Sequence, residues 1–427
     1  MSESSQGASD GGRLTLLILV GMLAGLVFGL VLNGLGVSGA VGEAVLAALG
    51  IGGAIFVASL KLLVVPLVFV SIVCGAAALD DISKLGRIGG KTLALYVATT
   101  MIAIALALAA AALVRPGVGF ALPSTVSFSA PSAPPLSEVL LGIFPTNPVQ
   151  AMAEGNMLQI IVFAVLFGVA MTLSGAPGRR LLTFFQDANE VVLRLVLVLM
   201  KLAPIGVFCL IARVFAEQGF GAFAPLLKYF FLVLAVLVVH MTVVYPSLLV
   251  VLGRLNPLAF FRGFREPMAV AFGTSSSNAT LPVTLRAVEH ELGVDNAIAS
   301  FTIPLGATIN MDGTAIMQGV ATCFIAQAYG IDLTTADYLA VIVTATLASI
   351  GTAGVPGVGL VMLGMVLGQV NLPVEGIGLI IGVDRLLDMS RTVVNVTGDA
   401  AVTCVVAKSE GRLDLARYND NGRALAT

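Results

Sequence analysis

The sequence predicts an all-α, polytopic membrane protein, and three observations carry that prediction. Only 11% of the 427 residues are charged while 58% are hydrophobic, and mean hydropathy is +1.03. A soluble domain carries about 25% charged residues, so this composition leaves too little polar surface for a globule in water and excludes a soluble enzyme. The charge-poor stretches also recur at the length of about 20 residues that a helical span requires. Finally, lysines and arginines gather in alternate connections. With 22 Lys+Arg against 24 Asp+Glu the net charge is −2, so there is no basic surface for nucleic acid and no such partner is expected.

Six segments read as ordinary hydrophobic helices. The first runs from Leu14 to about Gly36. The polar, acidic Met1–Gly12 stretch before it lacks the basic start and cleavage site of a signal peptide, so this segment is expected to be retained. The second spans about Leu46 to Leu79 and contains Lys61; the third is Thr92 to Val114. A Pro- and Ser-rich section from Pro116 to Pro148 precedes the fourth, around Met157 to Leu173. The fifth runs from about Val191 to Phe215 and the sixth from Tyr229 to Gly253. Lys84, Arg87 and Lys91 follow the second, Arg179 and Arg180 the fourth, and Arg254, Arg262 and Arg265 the sixth. The positive-inside rule then puts both termini and these loops in the cytoplasm of a multi-pass protein of the cell (inner) membrane.

The last third is interrupted. Pro267 to Leu285 is uncharged but centred on Gly273-Thr274-Ser275-Ser276-Ser277-Asn278-Ala279-Thr280. Tyr338 to Val374 is uncharged for 37 residues, too long for a plain span, with Ser349 to Gly359 rich in Gly, Pro and small residues at its middle. Such backbone is tolerated at membrane depth only when buried in protein or lining a wet cavity. Paired interrupted segments are a sequence pointer to a transporter site between repeats; two tightly packed Gly-rich spans are the other reading. The 47 glycines suit either close helix packing or broken helices.

The final segment carries a polar stripe. At about 100° per residue, Asp384, Asp388, Arg391, Asn395 and Asp399 share one face, opposite Leu386, Met389 and Val393. A charge at bilayer depth costs at least about 2.5–3.5 kcal/mol, so the stripe must face a partner, a ligand or water. Arg391 offers a fork for a carboxylate. Asp388, one turn earlier, could accept an ammonium, and Asp399 would suit a hard cation. An internal Asp388–Arg391 pair that only pins the helix is the alternative. Asn310-Met311-Asp312-Gly313-Thr314 places oxygen groups in an apolar span, where a broken helix could free carbonyls for Na⁺ or a polar clasp could join two helices. Tyr96, Thr99 and Thr100 form a third polar trio that could equally be back-bonded threonines. Cys74, Cys209, Cys323 and Cys404 show no metal or disulfide spacing, and His240 and His290 read as structural. An intramembrane enzyme lacks the motifs it would need, and an ion channel remains a rival from another class.

These residues resemble the dicarboxylate/amino acid:cation symporter family, the glutamate transporters and their archaeal aspartate-transporter relatives. The resemblance rests on Leu60–Leu67, Ala203–Phe208, the serine-rich tip, Asn310–Thr314 and the last-helix stripe. It implies eight transmembrane helices plus two re-entrant helical hairpins, with inverted repeats, assembled as a homotrimer. Scaffold would comprise residues 1–79 and 116–217; a transport domain that slides like an elevator would comprise 80–115, 218–255 and 256–427. The first hairpin would run from about Asn256 to Val288, and the second, from about Thr334 to Asn371, would be the gate.

The resemblance also assigns roles. Arg391 would hold a substrate side-chain carboxylate with Thr314, Asp388 the amino group, and Asn395 the α-carboxylate with Ser276 and Ser277. Val355 and Gly359 would close over the ligand and Thr392 would border it. One sodium site would use Gly306, Asn310, Asn395 and Asp399; a second Thr308, Ser349, Ile350 and Thr352; a third Tyr96, Thr99, Thr100, Asn310 and Asp312. No cofactor is implied beyond sodium as the coupling ion. Asn278 stands where relatives often have Ser, Ser275 where some have Arg, and Gln318 where animal glutamate transporters have a proton-carrying Glu. C4-dicarboxylate carriers lack the Asp at 388 and neutral amino-acid carriers the Arg at 391, so the pair implies aspartate or glutamate. A proton-coupled glutamate/aspartate or C4-dicarboxylate symporter is the alternative.

Overall fold

The computed structural model describes residues 2–36, 40–77, 82–120, 144–350, 354 and 357–419. Its elements are helices throughout, with no strand among the described residues and one isolated bridge between Val294 and Leu413. Helix α1 is Ser2–Gly34, α2 Ala40–Ala77 and α3 Ile82–Val114. A short α4, Pro148–Glu154, precedes α5, Met157–Leu173. Both begin at an asparagine, Asn147 and Asn156, whose side chain accepts from the free amides of the first turn.

The fifth predicted span is not one helix. α6, Ala176–Met200, and α7, Ala203–Gln218, meet at a 50° bend. Pro204 lies at the start of α7, where it has no amide to continue the ladder of α6. The sixth span is broken differently. α8, Phe223–Val239, runs on through a π turn at His240–Val244, one α-helical turn at Tyr245–Leu248 and a second π turn at Leu249–Gly253.

The chain then folds into short helices: α9, Pro257–Gly263; α10, Arg265–Thr274; α11, Ser277–Arg286; and α12, Asn296–Ile309. Next come α13, Asp312–Ala328; α14, Thr335–Ser349; α15, Val358–Gln369; the long α16, Ile377–Ser409; and α17, Leu415–Asn419. Among the described residues, four helices are long and apolar enough to cross a membrane: Leu16–Gly34, Val41–Cys74, Arg87–Val114 and Phe223–Gly253. The bent α6–α7 pair passes the same test of length and composition when its two helices are taken together, which would make five.

Glycine lets α1 and α7 approach backbone to backbone. Gly21, Gly25 and Gly29 of α1 face Pro204, Phe208 and Ala212 of α7, and a Cβ on them would lie 2.4, 2.7 and 2.4 Å from those residues' carbonyl oxygens. Backbones this close need residues without side chains at every fourth position. α2 packs on α5, α6 and α7, whereas α13 and α16 pack with each other and against α3 and α8. At one end of the molecule, Glu410 just beyond α16 pairs with Arg87 and with Lys91, the latter at 2.7 Å. The basic start of α3 and the chain's last long helix therefore end on the same side.

Candidate functional site

The polar stripe of α16 is buried as its spacing requires. Asp384, Asp388, Arg391, Asn395 and Asp399 are all nearly inaccessible, and Leu386 on the opposite face is exposed. Arg391 is the largest fully buried side chain among the described residues. Its Nη1 donates to Asp384 Oδ1 at 2.7 Å and its Nη2 to Asp388 Oδ1 at 2.7 Å. The internal ion pair left open by the sequence is thus formed, and Asp384, which had no assigned role, completes it from a turn further away. Asp388 Oδ2 also meets Arg385 Nη1 and the Gly357 amide, both at 3.4 Å. Two carboxylates and two guanidinium groups balance, while Arg391 Nε is buried without an acceptor.

Other helices bring the remaining substrate candidates to this guanidinium. A Cβ on Gly359 would lie 3.3 Å from both Arg391 Nη2 and the Thr314 methyl. Gly313 packs so tightly on α16 that a Cβ would come within 2.4 Å of the Arg391 carbonyl, and its amide donates to Asn395 Oδ1 at 2.7 Å. Asn395 Nδ2 reaches Thr314 Oγ1 at 3.4 Å, and Thr392 Oγ1 donates back to the Asp388 carbonyl. Val355 lies outside the described residues.

The first serine-rich tip is a break between α10 and α11, made by Ser275 in the left-handed region at φ +51°. Ser276 caps α11, and its Oγ donates to the Gly354 carbonyl at 2.6 Å, with the Asn278 amide on the same oxygen at 3.2 Å. The two interrupted segments therefore meet tip to tip. Ser276 is spent on that clasp, and Ser277 is buried beside Gly354. The Ser275 hydroxyl is buried without a partner.

Between α12 and α13 the helix breaks at Asn310 and Met311, and the predicted cation residues gather there. Asn310 Nδ2 donates to Asp399 Oδ1 at 2.9 Å and approaches the Asn395 carbonyl at 3.4 Å. Gly306 lies against the same carboxylate, since a Cβ on it would be 2.6 Å from Asp399 Oδ1. Ser349 staples α14 to the break, donating to the Ile309 carbonyl and accepting from the Met311 amide. Thr308 bonds back within its own helix and Ile350 caps α14; Thr352 lies outside the described residues. In the third set, Thr100 Oγ1 donates to Asp312 Oδ1 at 2.6 Å, and Thr99 Oγ1 lies 3.1 Å from the Tyr96 carbonyl and 3.4 Å from Asn310 Oδ1. Tyr96 directs its hydroxyl to the Thr302 carbonyl.

Two residues at this third cluster carried no role in the sequence reading. Tyr245 Oη lies 2.9 Å from Asp312 Oδ2, and His240 Nε2 lies 3.2 Å from the same oxygen. They sit five positions apart, so an α-helical reading separates them, and only the π turn brings them together. Among the described residues neither Asp312 nor Asp399 has a lysine or arginine partner. Both are buried carboxylates surrounded by hydroxyl, amide, imidazole and carbonyl groups.

Residues 14–409 match the profile of the Sodium:dicarboxylate symporter family. The chain is 38% identical to the neutral amino acid transporter B(0) of Bos taurus, over 91% of this chain and 78% of that one. It is 34% identical to the proton/sodium-glutamate symport protein of Geobacillus stearothermophilus, covering 92% of this chain and 94% of the relative. With the proton/glutamate-aspartate symporter of Escherichia coli K12 the identity is 37%, over 84% and 85% of the two chains.

Proposed function

The chain belongs to the sodium:dicarboxylate symporter family, and from that premise we propose that it carries aspartate or glutamate across the membrane with sodium as the coupling ion. That it is a multi-pass membrane symporter and not an enzyme follows from the family itself. The finer reading rests on the charges. Asp384, Asp388, Arg385 and Arg391 balance one another, whereas Asp312 and Asp399 have no lysine or arginine on them among the described residues. A buried carboxylate with no lysine or arginine on it favours a cation beside it. The donors at hand are carbonyls, hydroxyls and single carboxylates, which suit a small hard cation.

Arg391 argues for the substrate class. Relatives named for glutamate and for neutral amino acids match this chain about equally well. A neutral amino acid brings one carboxylate and an acidic one brings two. A fully buried guanidinium with an unused Nε–H supports the second. In this reading Asp388 receives the amino group, Asn395 and the Ser277 tip the α-carboxylate, and Gly359 and Thr314 border the side chain. Asp384 keeps Arg391 neutralised when the ligand leaves.

The same reading takes eight transmembrane helices with two re-entrant hairpins, α10–α11 and α14–α15, and cytoplasmic termini. The subunit forms a homotrimer through a scaffold of residues 1–79 and 116–217. The other segments, 80–115, 218–255 and 256–427, move as an elevator behind a gate at the second hairpin. The packing of α2 on α5–α7, and of α13 and α16 on each other and on α3 and α8, supports that division, with α15 against α2 and α16 against α7 along the seam between the groups. Raising Na⁺ at fixed ionic strength is expected to tighten aspartate binding in calorimetry, by reciprocal linkage; an affinity indifferent to Na⁺ overturns the proposal. Proton coupling, suggested by the names of the two prokaryotic relatives, is separated by proteoliposome uptake under imposed proton and sodium gradients.

A further inference from the structure

The π turn at His240–Val244 puts two side chains on one carboxylate oxygen. In a regular α-helix, residues five apart point about 140° away from each other. Here the Tyr245 amide bonds to the His240 carbonyl, an i→i+5 bond that inserts one residue into the turn. His240 and Tyr245 consequently lie ring against ring, centroids 4.8 Å apart and planes at 82°. Both reach Asp312 Oδ2. π turns of this kind gather at functional sites.

The division of labour at Asp312 is sharp. Oδ1 faces Thr100 in the oxygen-rich cluster with Thr99 and Asn310, while Oδ2 is turned away to the π turn. An ionised carboxylate only accepts hydrogen bonds, so beside one it is Nε2–H of His240 that donates, while Nδ1 is buried without a hydrogen-bond partner. Tyr245 ties the same oxygen to α16, its hydroxyl being also 3.0 Å from the Val394 carbonyl. Gly398 makes room for this: a Cβ there would lie 2.5 Å from the Tyr245 hydroxyl and 2.6 Å from Asn310 Nδ2.

We infer that His240 and Tyr245 are positioning residues for ion coupling: they hold Oδ2 of Asp312 so that Oδ1 is presented to a sodium ion among Thr99, Thr100 and Asn310. The inference rests on the sodium-coupled reading and deepens it. Neither residue touches the substrate cluster around Arg391, so their loss should weaken sodium and leave the amino-acid pocket alone.

The test is aspartate calorimetry on the purified full-length protein over a series of NaCl concentrations, with ionic strength held by choline chloride. His240→Met removes the donor at similar volume and is expected to raise the half-saturating sodium concentration about tenfold or more, the worth of a hydrogen bond to a charged group. Aspartate affinity at saturating sodium should stay within about twofold of wild type, and His240→Gln, which restores an N–H, should return the sodium curve most of the way. A wild-type sodium curve for His240→Met overturns the inference, as does an equal loss of affinity at saturating sodium, which marks a merely structural role. Should His240→Met fail to assemble, Tyr245→Phe, lacking one hydroxyl, carries the same expectation and the same refutation. A wild-type protein indifferent to sodium overturns the sodium-coupled reading and this inference with it; a sodium-dependent wild type beside an unchanged variant overturns this inference alone.

Discussion

Removing Arg391 should convert the selectivity of the site, provided its counter-charges are removed with it. Arg391→Met alone strands Asp384 and Asp388, both buried on one helix face. Breaking a buried pair in that way costs about 3–5 kcal/mol and confuses binding with folding. The double variant Asp384→Asn/Arg391→Met restores neutrality, because Asp388 keeps Arg385 within reach. What it loses is a forked contact to the substrate's second carboxylate. Two charge-assisted hydrogen bonds at about 1.5–3 kcal/mol each amount to about 3–6 kcal/mol, or a factor of about 10² to 10⁴ in Kd. A neutral amino acid makes no such contact and should bind the double variant no worse than wild type. Calorimetry at saturating sodium, after size-exclusion shows that assembly is unchanged, gives both affinities. An aspartate Kd within about tenfold of wild type would refute the assignment of Arg391 to the side-chain carboxylate.

Further outcomes are expected elsewhere in the molecule. Gly25→Leu places a side chain where even a Cβ meets the Phe208 carbonyl at 2.7 Å; overpacking of this kind costs about 1–3 kcal/mol or more. It should lower the thermal midpoint in detergent, and an unchanged melt would deny that α1 and α7 meet backbone to backbone. Ser276→Ala removes the 2.6 Å bond to Gly354, worth about 0.5–1.5 kcal/mol. Aspartate should dissociate about twofold to tenfold faster in stopped-flow, and an unaltered rate removes the clasp from the gate. At the cytoplasmic end of the proposed topology, hydrogen bonds from Lys91 and Arg87 hold the Glu410 carboxyl below the usual carboxylate range. Because the folded value is depressed, the stabilisation is present above the ordinary carboxylate pKa and lost as pH falls through the folded one. The difference in melting between wild type and Glu410→Gln should persist through mildly acidic pH and vanish only in stronger acid; disappearance near neutrality would contradict the pairing.

The parts of this architecture that were legible in the sequence share a cause. A charge in an apolar segment is expensive, so the α16 stripe, the Asn310–Asp312 break and the two small-residue tips each stand out against their surroundings. Features that leave composition unchanged stayed hidden. The bend between α6 and α7 has apolar residues on both sides, so Val191 to Phe215 read as one span although Pro204 sits at the joint. The π turns lie in an apolar run that reads as one continuous helix, so His240 reads there as structural and Tyr245 carries no role. Asp384 lay on the stripe, but spacing alone could not say that it and Asp388 would take opposite ends of the same guanidinium. Nor could it say that Ser276 would be engaged by a carbonyl nearly eighty positions downstream.

The surface that α16 turns toward α7 and α1 has a mechanical consequence. Gly378 lies against Leu210, and Gly382 against Ile211 and Met22, so at these points the seam is hydrocarbon on hydrocarbon. The ion pairs of the stripe, by contrast, close between residues of α16 alone. Displacing this helix along its neighbours would stretch none of those pairs and would convey Arg391 together with Asp384 and Asp388. The electrical work of such a stroke would then fall on Asp399 and whatever cation accompanies it, and friction on the fit of two glycines against apolar side chains.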